Sequence, residues 1–142
     1  MDCVRTKSGA ETLEAGERFS QTLKPGDVVA LDGDLGAGKT VFAQGIAKGL
    51  GITDVIVSPT FTILREYDGV PPLYHFDVYR IGDPDELFEI GFSEYLDGDG
   101  ICVIEWAEKV PELLPAHTIR VRIEKTGNNT REIIIKKDYE AK

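Results

Sequence analysis

The sequence predicts a single α/β domain with an antiparallel tail. Three observations lead there. A short, wholly apolar strand at residues 28–31 runs into a glycine-rich loop and then a helix; a second apolar strand occupies residues 101–104; and the tail alternates as a β-hairpin. With 142 residues and no composition break that would mark a linker, one domain spanning 1–142 is expected. A chain of this size buries roughly two thirds of its unfolded surface and needs no staples.

In chain order, residues 1–8 read as a short edge strand. Residues 10–23 read as a helix, because Leu13, Phe19 and Leu23 place apolar groups on one side among charged residues. Lys24-Pro25-Gly26-Asp27 is turn chemistry. The strand at 28–31 follows, then the glycine-rich segment 32–38 and a helix over 40–50 closed by Gly51. Residues 55–67 are strand-like, interrupted by Ser58-Pro59-Thr60, and residues 73–80 alternate as a strand. Asp83-Pro84-Asp85-Glu86 starts a helix, with proline in the first turn and acids at the positive end of the dipole, running to about Leu96. The apolar strand 101–104 ends at Glu105-Trp106. Strands at 118–125 and 130–137 form the final hairpin about Gly127-Asn128-Asn129.

Charge narrows the function. There are 16 Lys+Arg against 25 Asp+Glu, a net −9. So acidic a surface repels phosphate backbones, which argues against direct, broad contact with nucleic acid. It leaves a basic protein partner, or a locally positive pocket for one small anion. Cys3 and Cys102 form no CxxC and make no metal site alone. The first residues carry Asp2, Arg5, Lys7, Glu11 and Glu14 with no apolar core, so no signal peptide is expected. No apolar run approaches the roughly 18 residues of a membrane span. A cytoplasmic protein, away from membranes, is the expectation.

The chemistry concentrates at Gly33-Asp34-Leu35-Gly36-Ala37-Gly38-Lys39-Thr40, which fits GxxxxGK[ST] between a buried strand and a helix. Glycines let successive N–H groups curl around phosphate oxygens, and the helix aims its positive end at the same anion. In such loops the lysine reaches the β and γ phosphates and the hydroxyl ligates Mg²⁺, roles that fall here to Lys39 and Thr40. A second carboxylate is needed at the end of a neighbouring apolar strand; Glu105 has that position. Trp106, the only tryptophan, fits core, base-stacking or partner-facing roles, with core favoured by residue type.

On the alternating strand 73–80, His75, Asp77 and Tyr79 share one face and Phe76, Val78 and Arg80 the other. His75 and Asp77 are suited either to positioning water or to an internal hydrogen-bonded pair. No further His or Cys cluster completes a zinc site. Ser58-Pro59-Thr60 supplies hydroxyls on a stiffened loop, as a γ-phosphate-sensing switch or a plain bulge would. A GTPase is disfavoured because no Asn-Lys-x-Asp reads guanine. Asp97-Gly98-Asp99-Gly100 lacks the length and closing glutamate of an EF-hand.

Together, the 33–40 loop, Ser-Pro-Thr-Phe at 58–61, His-Phe-Asp-Val-Tyr-Arg at 75–80 and Glu-Trp at 105–106 resemble the TsaE (YjeE) family, in the same order. The resemblance spans residues from about 8 to 135. That family is a bacterial ATPase needed to make threonylcarbamoyladenosine in tRNA. The resemblance implies a three-layer P-loop sandwich with mixed strand directions rather than an all-parallel kinase-type sheet. It implies ATP and Mg²⁺ as ligands, with Thr40 and Glu105 on the metal and Asp77 near the γ-phosphate or its attacking water. It makes Ser58 and Thr60 switch-like, places His75, Arg80 and Trp106 beside the site or a partner, and sets Ser8, Thr12 and Arg131 on the adenine side. The implied partners are TsaD and TsaB, with tRNA engaged only through them. Ala107 departs from the proline common after Glu-Trp, which touches only loop geometry.

Two readings compete with a partner-stimulated ATPase. In a small-molecule kinase Asp77 would be the base for an acceptor hydroxyl, but the chain shows no lid or acceptor subdomain. In a non-hydrolytic nucleotide switch, binding alone would reshape a partner-facing surface.

Overall fold

The structure is a computed structural model that describes residues 2–34, 37–53, 63–83 and 85–137. The strands are β1 (Asp2–Thr6), β2 (Val28–Asp32), β3 (Leu64–Tyr67), β4 (Leu73–Asp77), β5 (Ile101–Glu105), β6 (Ile119–Lys125) and β7 (Arg131–Lys137). The helices are α1 (Gly9–Ser20), α2 (Lys39–Gly49), α3 (Asp85–Glu89) and α4 (Phe92–Asp97), with 3-10 turns at Ala107–Lys109 and Pro111–Leu113. The strands make one sheet ordered β1-β7-β6-β2-β5-β4-β3. Its centre is parallel: β2 pairs with β5 and β6, and β4 with β5. Its flanks are antiparallel, β3 on β4, β7 on β6 and β1 on β7. The mixed sheet and the terminal hairpin are those the sequence predicts.

Two apolar cores make the three layers. Val29, Leu31, Ile101 and Val103 face α1 and α2, where Phe19 meets Phe42 with ring centroids 5.6 Å apart. Val28, Ala30, Cys102 and Ile104 face α3 and α4 through Leu87, Phe92 and Leu96. The central strands read as continuous apolar runs because both faces are covered. Helices α1 and α2 cross almost backbone to backbone. A Cβ on Gly45 would lie 2.1 Å from the Leu13 carbonyl oxygen, and one on Gly16 2.3 Å from that of Phe42. Ser8 caps α1, its Oγ accepting from the Glu11 N–H at 3.1 Å, while Glu11 Oε1 accepts from the Lys7 N–H at 2.9 Å.

Two expectations change and a third is seen in part. The helix expected from Asp83 to Leu96 is two short helices, because Gly91 takes a left-handed φ of 77° that ends one and begins the other. The strand expected over 73–80 stops at Asp77, whose Oδ1 accepts from the Tyr79 N–H at 2.9 Å and turns the chain. Tyr79 and Arg80 therefore lie in a turn, off the alternating faces. Of the strand expected over 55–67, Leu64–Tyr67 is seen; residues 54–62 lie outside the described residues. Among the described residues no helix is long and apolar enough to cross a membrane.

Candidate functional site

Three adjacent parallel strands end together. Leu31 of β2 is level with Glu105 of β5, and Asp77 of β4 is level with the same Glu105. Asp32, Glu105 and Asp77 thus bring three carboxylates to the carboxyl edge of the sheet, where open α/β sheets bind ligands. Glu105 and Asp77 are buried; Asp32 is half-buried. Burial raises the Asp32 carboxyl above its usual value, an effect opposed by a backbone N–H from Glu108 and by the charges of Arg120, Arg122 and Lys39.

Above this edge the loop turns into α2. Gly33 has φ 152° and a Cβ there would meet the Ile123 carbonyl oxygen at 2.5 Å, so glycine is required. Gly38, at φ 103°, precedes the helix, and no side chain caps it. The first N–H groups of α2 are therefore left without a capping side chain, the arrangement that receives anions. Asp34 accepts at its carbonyl from the Ala37 N–H at 3.0 Å. Leu35 and Gly36 of the predicted loop, like Ser58 and Thr60, lie outside the described residues.

Lys39 opens α2 and is only 5% exposed. Its Nζ donates to the Gly33 carbonyl at 2.5 Å and stands 3.4 Å from the centre of the Trp106 ring. Burial lowers its ammonium below the usual range; Glu105, Glu108, Asp77 and Asp32 pull the other way. Trp106 itself adopts φ 64°, left-handed for a non-glycine residue, which folds the chain back over the sheet edge. Its ring meets Tyr79 at 4.7 Å between centroids, and Lys109 lies over Tyr79. The core placement that residue type favours for Trp106 is therefore corrected: it is half-buried and roofs the lysine.

His75 and Glu105 form the pair that the sequence left open, though not with the partner considered there. His75 Nε2 lies 2.5 Å from Glu105 Oε2, both side chains being buried. In the tautomer that carries its proton on Nε2, His75 donates to the carboxylate, which then accepts. His75 Nδ1 is buried and has no hydrogen-bond partner among the described residues. Asp77 instead bonds the backbone of Tyr79.

A separate pocket of about 80 Å³ adjoins the loop, lined by Ser8, Gly9, Thr12, Gly38, Val41, Asn129 and Arg131. It brings together Ser8, Thr12 and Arg131, the three residues expected on one side of the ligand. Thr12 is buried, its hydroxyl 2.8 Å from that of Thr6. Arg131 ties the loop to the hairpin: Nε donates to the Ala37 carbonyl at 2.9 Å, and a terminal nitrogen donates to those of Gly127, Asn128 and Thr130. Its guanidinium is thus a clamp on backbone as well as a pocket wall. Thr40, the other predicted oxygen donor, is half-buried beside Lys39. Arg80 is exposed, in the turn that follows Asp77.

The oxygen donors fit Mg²⁺ in kind. Among the described residues no group of three or more His, Cys, Asp and Glu side chains could cage a metal. Mg²⁺ ordinarily takes only one or two carboxylates and completes its shell with water and substrate phosphates. Sequence reasoning missed Asp32, whose signal was its place as the acid closing an apolar strand next to Gly33.

The chain is similar to known proteins of one family. A family model described as threonylcarbamoyl adenosine biosynthesis protein TsaE matches residues 6–133. The chain is 49% identical over 130 residues to the tRNA threonylcarbamoyladenosine biosynthesis protein TsaE of Bacillus subtilis, covering 91% of this chain and 81% of that one. It is 44% identical over 135 residues to the like-named protein of Treponema pallidum, covering 95% and 99%. A crystal structure of Bacillus subtilis YdiB matches with TM-score 0.78 and 44% identity, covering 93% of this chain and 82% of that one.

Proposed function

The chain belongs to the TsaE family, and from that premise we propose that it serves threonylcarbamoyladenosine formation in tRNA as an ATPase driven by the TsaD–TsaB pair. The observation that carries the proposal is the position of Lys39, between a glycine loop and two buried carboxylates at the carboxyl edge of the sheet.

Hydrolysis needs the γ-phosphorus to bond a water oxygen as the bond to the β–γ bridging oxygen breaks, releasing ADP and phosphate. Such transfer is mostly positioning and charge neutralisation. Lys39 exchanges the Gly33 carbonyl and the Trp106 face for β and γ phosphate oxygens. The uncapped start of α2 faces the same anion. The pocket of Ser8, Thr12 and Arg131 adjoins the loop at Gly38 and would receive the base. Asp77 orients the attacking water, and the turn it makes with Tyr79 fixes its direction. Thr40 and Glu105 would hold Mg²⁺, which neutralises phosphate charge when bound.

Arg131 is engaged on the loop and hairpin backbone, and in P-loop enzymes an arginine supplied by a partner is worth about 10³–10⁵ in rate. Slow turnover alone and faster turnover in the complex follow. The negative surface suits docking to a basic protein better than gripping tRNA. Calorimetric titration of ATP into the protein tests the binding half of this reading: saturable binding that Lys39→Ala abolishes supports it, and equal binding by both proteins refutes it.

A further inference from the structure

Packing does not account for His75. It sits on β4 with no exposed surface, on the sheet face shared by Leu73 and Val103, where an aliphatic side chain would pack without polar atoms. One ring nitrogen has no hydrogen-bond partner among the described residues. A buried polar atom without a partner is costly, so the ring must be retained for what its other nitrogen does.

That nitrogen holds Glu105. Level with Glu105 on the neighbouring strand is Asp77, and His75 stands two residues earlier, so the Nε2–Oε2 bond runs diagonally between β4 and β5. Among the described residues it is the one hydrogen bond made to the Glu105 side chain. It engages Oε2 of the two carboxylate oxygens.

We propose that His75 is a positioning residue of the nucleotide site, which through Nε2–H fixes the rotamer of Glu105 so that the other carboxylate oxygen is left for Mg²⁺. This rests on the ATPase reading above and extends it to a residue outside the loop. Groups that orient a ligating carboxylate or imidazole typically contribute 10- to 100-fold to metal affinity or activity.

The test compares wild type with His75→Leu, His75→Gln and His75→Asn in two measurements. The first is ATP affinity by calorimetry, in EDTA and again with Mg²⁺. The second is kcat for hydrolysis in the presence of the partner proteins. His75→Leu is expected to bind ATP in EDTA within about twofold of wild type. It should lose the tightening that Mg²⁺ confers and about 10- to 100-fold in kcat. His75→Gln, whose amide nitrogen reaches the Nε2 position, should recover most of both; His75→Asn, whose amide falls short, should not. Should the leucine variant fail to fold, the contrast between glutamine and asparagine carries the test. A leucine variant with wild-type Mg²⁺ tightening, or glutamine and asparagine variants that behave alike, overturns the role of His75 alone. A wild-type protein that shows neither Mg²⁺ tightening nor hydrolysis overturns the ATPase reading, and this proposal with it.

Discussion

The Lys39 ammonium stands 3.4 Å from the centre of the Trp106 ring while donating to the Gly33 carbonyl. The lysine that a phosphate would claim is thus already held, by an aromatic face and a backbone oxygen. A desolvated cation–π contact of this kind contributes about 2 kcal/mol. A dianionic phosphate at the start of a helix offers more, so ligand binding should draw the lysine off the indole. Trp106 is the only tryptophan. Its fluorescence should change saturably as ATP is added; emission that stays flat while calorimetry detects binding would contradict the exchange.

Lys39 also costs stability. Burial lowers its ammonium pKa in the folded protein, so the cost is fully present below that lowered value and is relieved as pH rises through it towards 10.5. Lys39→Met should melt at or above the parent at pH 7, with the difference narrowing in alkali. Its hydrolysis should fall about 10²- to 10³-fold, as when one preorganised charge-stabilising donor is removed. Melting curves across pH, paired with phosphate-release assays, check both halves.

Asp32 carries the opposite sign. Its carboxyl is raised by burial, so the ionised form weakens folding above the raised value, and the penalty is relieved as pH falls through it towards 3.8. Asp32→Asn keeps an oxygen for the Glu108 N–H and should be more stable than the parent at pH 7. That advantage should shrink under acid conditions. Denaturant titrations at a neutral and an acidic pH would show it, and an advantage that grows in acid would contradict it.

How much of this was legible in the chain depends on distance along it. The glycine loop from Gly33 to Thr40 and the apolar run closed by Glu105 are local patterns, and the strand and helix that flank the loop, like the apolar strand itself, appear where the patterns put them. The Asp77 turn and the helix break at Gly91 are also local. Each was overridden by a longer periodicity, alternation in one case and acidic helix-start residues in the other. The His75–Glu105 bond joins residues 30 apart and depends on the β4–β5 register, which no spacing in the sequence specifies. The same holds for Trp106, which packs against the apolar core while its ring also covers Lys39.

Arg131 links two parts of the site. It donates to Ala37 in the loop and to carbonyls of the β6–β7 turn. Hydrogen bonds from a charged donor are worth about 1.5–3 kcal/mol each at most, and their carbonyls regain water when it is lost. Arg131→Ala should weaken ATP binding about tenfold and lower Tm by several degrees. Arg131→Lys should rescue little, because an ammonium lacks the planar fork. Nucleotide titration and thermal melting decide it; a lysine variant equal to the parent would contradict the clamp.

The α1–α2 crossing makes a purely structural prediction. At Gly45 a methyl group would meet the Leu13 carbonyl oxygen at 2.1 Å, and backbone cannot yield as a side chain does. Overpacking of this kind costs about 1–3 kcal/mol. Gly45→Ala should lower Tm by roughly 2–4 °C per kcal/mol, against the usual helix preference for alanine. An alanine variant that melts above the parent would mean the helices stand farther apart.

In the proposed ATPase a glycine loop and two strand-end carboxylates do the chemistry and the partners set the rate. Phosphate release should be measured for the protein alone, then with TsaB and TsaD, with Lys39→Ala in parallel. The account predicts slow turnover alone, strong stimulation by the pair, and loss of both in the variant. Turnover that is already at its full rate without partners, or that survives in Lys39→Ala, would contradict it.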